Sequence, residues 1–449
     1  MKVFRLAALF SRPGAGSRAA LILPIVAFGV VSMLVLIVLA GANVFFSWSD
    51  DLAGLYQGLA VIALALLIVP LLGLGGSAAR LSARHRDDRL STLRLLGATG
   101  GTVAALTVLE STALALLGSL AGIVGYAALV PAVGLIHFRG AALGAGALWM
   151  PALEIAAVVA VLLVLAAASA AIGLRAVVIS PLGVRVKQTA PRTHWIRLVI
   201  GIVVVLATVA AVSLIGRFGG SERAVVAVTI LTLMLGFGGT VAILNLIGPW
   251  VIGRFARRQV KRAHNAERLI AARAILESPK AAWRQVSGVA MTSFMAVFAG
   301  TGLAFVQMSE SSGLDPQSRE LADDIRTGIF LTIAISFLMV ACSVGVNQAA
   351  GILDRRDLYV SLDRLGMPIG HMDASRRRAV MSPLRIVTVG SALCAAVVIL
   401  PLTGIAMIIA PLSLVTIVAS LVAGIGLVWL GLRSTRPVLT RVLTEPERV

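Results

Sequence analysis

The chain has 449 residues, of which 59% are apolar and only 13% charged, with a mean hydropathy of +0.98. That balance excludes a soluble globular domain and predicts an integral membrane protein. A net charge of +19 would suggest a nucleic-acid partner in a soluble chain, but the placement of these charges points to a membrane surface and no nucleic acid.

A transmembrane helix needs roughly 20 consecutive apolar residues. Ten such segments can be marked, at about 20–43, 53–79, 103–130, 150–174, 196–216, 224–252, 286–308, 327–351, 386–408 and 411–432. The predicted fold class is an all-α polytopic membrane protein. The first segment follows Lys2, Arg5, Arg12 and Arg18 and ends near Ala40-Gly41-Ala42, which imitates a cleavage site. Its apolar run exceeds the roughly 7 to 15 residues of a signal h-region, so it reads as a retained helix. With the N-terminus in the cytoplasm, alternate loops leave five of the 39 Lys and Arg outside: Arg139, Arg217, Arg223, Arg319 and Arg326. That is the positive-inside asymmetry, and it places both termini in the cytoplasm.

The second segment ends in a glycine cluster, "GLGGSAARL" (73–81), which is either a hinge or a glycine-rich stretch of span. It leads into "RDDRLSTLRLLG" (86–97). A helix over 84–96 places Leu90, Leu93 and Leu96 on one side and Arg86, Asp87 and Arg89 elsewhere, so it must lie on the membrane or in a partner's groove. Gly97 then ends it as a C-cap glycine would. In the third segment, Glu110 is an acid inside a span, and "GSLAGIVG" (118–125) carries the small-xxx-small pattern of close helix packing, with a lateral gate as the sharper reading. Glu154 opens the fourth segment near the outer interface. Both acids read either as functional groups or as hydrogen-bonded interfacial carboxyls. The outer connections, about 131–149 and 309–326, are short, whereas the inner ones at 253–285 and 352–385 are long and basic. The runs "RRQVKRAH" (257–264) and "RRR" (376–378) read most simply as contacts to anionic membrane lipids and secondarily as contacts to an ATPase partner.

The surface helix recurs. "RRDLYVSLDRLG" (355–366) matches 86–97 at a constant offset of 269, pairing Arg86 with Arg355, Asp88 with Asp357, Thr92 with Ser361, Leu93 with Leu362, Leu96 with Leu365 and Gly97 with Gly366. "RLAALFSRP" (5–13) and "RAILESP" (273–279) open the two copies alike. The chain thus divides into a first four-helix unit over 1–190 with its surface helix at about 84–97, two linking helices over 191–260, and a second four-helix unit over 261–449 with its surface helix at about 353–366. An even number of helices separates the copies, so they run parallel. Cys342 and Cys394 fall inside segments and predict packed thiols; the five histidines lack metal spacing, and neither a zinc-protease, serine-hydrolase nor P-loop motif occurs.

"RDDRLSTLRLLGATGGTVAALTVLE" (86–110) resembles the signature of FtsX-like permeases, the membrane subunits of type VII ABC transporters. The ten-helix, two-unit arrangement is similar to the bacitracin-type peptide resistance permeases, without their large extracellular domain. The resemblance implies that each surface helix is a coupling helix seated in a cleft of a separate ATPase. Asp88, Arg89, Leu93, Arg94 and Gly97, and in the second copy Asp357, Leu362 and Gly366, would be the ATPase contacts. It further implies two ATPase copies per permease, ATP and Mg on those partners, and no cofactor or enzymatic activity in this chain. The implied substrate is an antimicrobial peptide, an antibiotic or a lipid, moved at a bacterial plasma membrane in a role such as antibiotic resistance. Two rival readings stand beside it: a membrane sensor or scaffold coupled to an ATPase, and a proton-coupled secondary transporter using Glu110 and Glu154.

Overall fold

The computed structural model describes residues 18–84, 99–179, 222–311, 316–403 and 411–444. Among these, the order is α1 (Arg18–Phe46), α2 (Ala53–Arg84), α3 (Gly100–Val133), β1 (His137–Phe138), β2 (Ala141–Ala142), α4 (Ala152–Ile179), α5 (Glu222–Lys261), α6 (Ala266–Glu277), α7 (Pro279–Ser311), α8 (Pro316–Asp354), α9 (Arg356–Arg364), α10 (Ile369–Thr403), α11 (Pro411–Arg433) and α12 (Arg436–Thr444). Among the described residues, six helices are long and apolar enough to cross a membrane, or seven if the bent α2 is one span. They cover seven of the ten predicted segments. The segment at 196–216 lies outside the described residues, and those at 224–252 and 286–308 fall within α5 and α7, helices of 40 and 33 residues.

Two compact units divide the chain. The first holds Met1–Gln188, Leu338–Ile369 and Leu430–Val449; the second holds Thr189–Phe337 and Gly370–Trp429. In the first unit α1 to α4 form a four-helix bundle in which α1 packs along α3 and also meets α2 and α4, while α4 meets α2 and α3. Small residues make the α1–α3 approach possible. A Cβ on Gly118 would sit 2.6 Å from Phe28 Cβ and 2.7 Å from the Ile25 carbonyl oxygen, and one on Gly122 would sit 2.6 Å from the Gly29 carbonyl oxygen. The "GSLAGIVG" pattern is therefore a packing face, where backbones touch with no side chain between them.

At the far end of this bundle Leu36, Ala40, Val44, Tyr126, Val130, Leu148 and Met150 form one buried cluster. Tyr126 is fully buried, and its hydroxyl donates to the Leu148 carbonyl and accepts from the Met150 amide at 3.1 Å. A buried hydroxyl needs partners, and meeting that need folds the 134–151 connection back onto α3. Outward-facing Val124, Val161, Val164 and Ile172 are all more than 65% exposed, an apolar exterior suited to lipid.

The chain of α2 bends by 41° between Ile68 and Pro70. Proline removes a backbone donor and crowds the preceding turn, so it kinks a helix where it stands. The bend lies ahead of the glycine cluster at 73–81, which remains helical; there the Ser77 hydroxyl donates to the Gly73 carbonyl at 2.7 Å.

In the second unit α5 packs on α6 and α7. Gly248 leaves room for the Trp283 ring, which a Cβ would meet at 2.1 Å, and the indole N–H donates to Asn245 Oδ1 at 2.8 Å. Phe294, Val297, Ala395 and Ile417 form a buried cluster. Pro279 opens α7 as a first-turn proline, after Ser278, whose hydroxyl accepts from the Ala281 amide at 3.3 Å. Cys342 and Cys394 are free and half-buried.

Candidate functional site

The second surface helix lies among the described residues as α9. A single residue, Arg355, separates it from the long α8, and four residues separate it from α10. Asp357 in its first turn and Arg364 in its last complement the helix dipole. At its end Gly366 adopts φ +82°, its amide donates to the Asp363 carbonyl at 2.8 Å, and the Met367 amide reaches back to the Leu362 carbonyl at 3.0 Å. This is a Schellman closure, in which a left-handed residue turns the chain so that orphan carbonyls are satisfied. The glycine that ends the surface helix in the sequence has this job here.

No residue of α9 is buried. Its half-buried side carries Arg356, Tyr359 and Val360; the opposite side carries Leu358 at 52% and Leu365 at 82% exposure, with half-buried Leu362 at the margin. Positions 358, 362 and 365 recur at helical spacing, so these leucines form one stripe. An amphipathic helix ordinarily buries its apolar face. Here the apolar stripe points away from the protein, while the short helix α12 packs against α9 and buries Leu439 and Val442.

Asp357 is exposed beside this stripe. Asp88, Arg89, Leu93, Arg94 and Gly97 of the first surface helix lie outside the described residues.

The two intramembrane acids occupy different levels of the first bundle. Glu110 is half-buried and carries a polar partner. Glu154, exposed in the first turn of α4, accepts a hydrogen bond from Asn43 Nδ2 at the end of α1. Sixteen residues of α3, about 24 Å of helix, separate Glu110 from Tyr126, which holds Met150 just before α4. The carboxyls therefore do not form one site. Among the described residues no group of three or more His, Cys, Asp or Glu is placed to hold a metal ion.

The run Arg376, Arg377 and Arg378 is engaged with protein. Buried Asp373 pairs with Arg376 at 2.7 Å and Arg377 at 3.1 Å, and Glu267 of α6 pairs with Arg378 at 2.6 Å and His371 at 2.7 Å. These ion pairs tie the start of α10 to α6, and each of the three arginines has a carboxylate partner in the protein. An acid three or four residues before an arginine on one helix was the available signal for Asp373. Nothing local marks Glu267, which lies over a hundred residues away.

A second polar feature had no sequence signal. In the β1–β2 hairpin Arg139 and Gly140 both take positive φ, 55° and 68°, as a two-residue hairpin turn requires. The Arg139 guanidinium lies 3.8 Å from the Trp48 ring centre and 4.4 Å from that of Tyr56, and pairs with Asp50 at 3.0 Å. Phe45 and Phe138 complete the aromatic cluster, 5.1 Å apart and edge to face. The hairpin is thereby latched over the α1–α2 connection.

A third cluster joins α2 to the first-unit part of α8. Ser77 Oγ lies 2.9 Å from Ser343 Oγ and accepts from Asn347 Nδ2 at 2.9 Å.

Comparison of the whole chain with protein-family models and with curated proteins finds no match.

Proposed function

We propose that this chain is the membrane permease subunit of an ABC transporter, built in the FtsX-like manner and driven by a separate ATPase. The observation that carries the reading is α9: an amphipathic helix between two long helices, whose leucine stripe faces away from its own protein and whose sequence recurs 269 residues earlier. A solvent-exposed leucine stripe is stable only against a partner or a membrane, and a repeated one suits two identical partner copies.

The spacing of elements supports the two-copy arrangement. Helix α3 begins at Gly100 and α10 at Ile369, an offset of 269. Ser77 bonds Ser343 and Asn347, which flank position 346, its own counterpart at 269. Contact between nearly equivalent positions is what a pseudo-twofold axis produces. In this reading ten helices cross a bacterial plasma membrane, both termini are cytoplasmic, and the α9 end faces the ATPases. ATP-driven closure of two ATPase copies would move the copies of the four-helix unit together and shift an amphipathic or lipid-embedded substrate, such as an antimicrobial peptide, an antibiotic or a lipid.

The test is co-purification of the full chain with the ABC ATPase encoded beside it, for the wild type and for Leu93→Asp combined with Leu362→Asp. Two ATPases per chain, lost in the double variant while its helical content and melting stay unchanged, are expected. Binding indifferent to both leucines would overturn the docking argument.

A further inference from the structure

Nine residues are too few for α9 to hold helical structure by itself, since isolated helices shorter than about 12 residues are marginal in water. The Schellman closure at Gly366 secures one end of it. The other support is α12. This helix follows α11 after only Ser434 and Thr435, whose amides bond back to the Leu430 and Leu432 carbonyls at 2.9 and 3.3 Å, so it runs on from the long helix within one stretch, Val415–Thr444. It packs on α9 with Leu439 fully buried and Val442 nearly so, while Arg436 and Arg441 stay exposed.

The sequence repeats part of this segment, with Gly183 standing where Leu439 does. "PVLTRV" (437–442) follows α11, and "PLGVRV" (181–186) follows α4; proline, arginine and valine coincide at an offset of 256. Each stands after the fourth helix of its unit, as each leucine helix stands after the second.

We infer that α12 is a positioning element: it braces the inner side of α9 so that Leu358, Leu362 and Leu365 are presented as one preformed stripe to the ATPase. The inference rests on the permease reading for the identity of that partner. Preforming the helix matters because a segment ordered only on docking spends part of its binding energy on that ordering.

The experiment is hydrogen exchange on the full chain in lipid nanodiscs without ATPase, followed by ATPase stoichiometry, for the wild type, Leu439→Asp, Leu439→Met and Arg441→Ala. Leu439→Asp is expected to speed exchange in α9 roughly tenfold or more, as loss of a buried leucine allows, with α1 and α3 unchanged. It should also cut bound ATPase from two per chain to one. Leu439→Met should restore both, and Arg441→Ala should leave α9 exchange as it is. Unchanged α9 exchange in Leu439→Asp overturns the brace. Faster exchange with two ATPases still bound overturns its role in docking. A wild type that binds no ATPase, while Leu439→Asp still frees α9, would sink the permease reading and leave the brace standing.

Discussion

Replacing Gly122 by alanine adds one methyl group at the place where α1 and α3 touch through their backbones. That methyl would stand 2.6 Å from the Gly29 carbonyl oxygen, 2.6 Å from Ser32 Cβ and 3.0 Å from the Met33 amide nitrogen. Two of these atoms are backbone and the third is a Cβ, so no rotamer change relieves the clash. Ordinary contact between such atoms is about 3.5 Å or more, and α1 must retreat by roughly 1 Å, loosening the dispersion contacts on either side. Overpacking of this kind costs about 1–3 kcal/mol, against which alanine regains about 0.5–1 kcal/mol of helix propensity over glycine. A net loss of about 1–2 kcal/mol is expected. Gly118→Ala, which meets Phe28 Cβ and the Ile25 carbonyl, should cost a similar amount. The double variant should cost less than the sum, because helices already parted by one methyl admit the second more cheaply. Gly58→Ala on α2, with nothing within 4 Å of its Cβ, serves as control and should stabilise by a few tenths of a kcal/mol or more. Unfolding by dodecyl sulfate titration in mixed micelles reads all four. A Gly122→Ala chain as stable as Gly58→Ala would refute the account of how this bundle packs.

The hairpin latch predicts that Arg139→Ala lowers the melting temperature by removing the stack on Trp48 and Tyr56 and the Asp50 pair, a loss of about 1–2 kcal/mol. Arg139→Gly should cost less, because glycine accepts the φ of 55° without strain; equal losses would mean that the strain is absent. Asp373→Asn removes the carboxylate charge that Arg376 and Arg377 share, in a site where Asp373 and Arg376 are only 6% exposed, and should destabilise by about 3–5 kcal/mol. Replacing both residues by leucine and methionine should recover most of that in a double-mutant cycle; a wholly additive result would show that the pair is not coupled. Glu154→Gln keeps an oxygen to accept from Asn43, so stability should hardly change, and transport in proteoliposomes should survive. Loss of proton-driven uptake in that variant would favour the secondary-transporter reading.

Much of this molecule was legible in its sequence because the signals are local. Hydropathy over a window of a span's length marks a helix whatever surrounds it, since a backbone in lipid has to satisfy its own hydrogen bonds. Thus seven of the ten marked segments coincide with described helices suited to crossing a membrane. The 355–366 stretch likewise announces both its helix and its end, because leucine spacing and a glycine cap are properties of a dozen neighbouring residues.

Tertiary structure decided the rest. Which side of α9 stays free follows from where α12 comes to lie, and those two helices are far apart in the chain. Among the arginines at 376–378, Arg378 finds a partner in Glu267, over a hundred residues away, which no local pattern announces. Gly118 and Gly122 announce close packing, but only the fold supplies Phe28, Gly29 and Ser32 as the surface they meet. Arg139 carries no pattern at all; its role exists because a hairpin between α3 and α4 lands on aromatics from the α1–α2 connection. Hydropathy and helix ends are set by neighbours along the chain, whereas pairings of charge, ring and backbone depend on which helices the topology brings side by side.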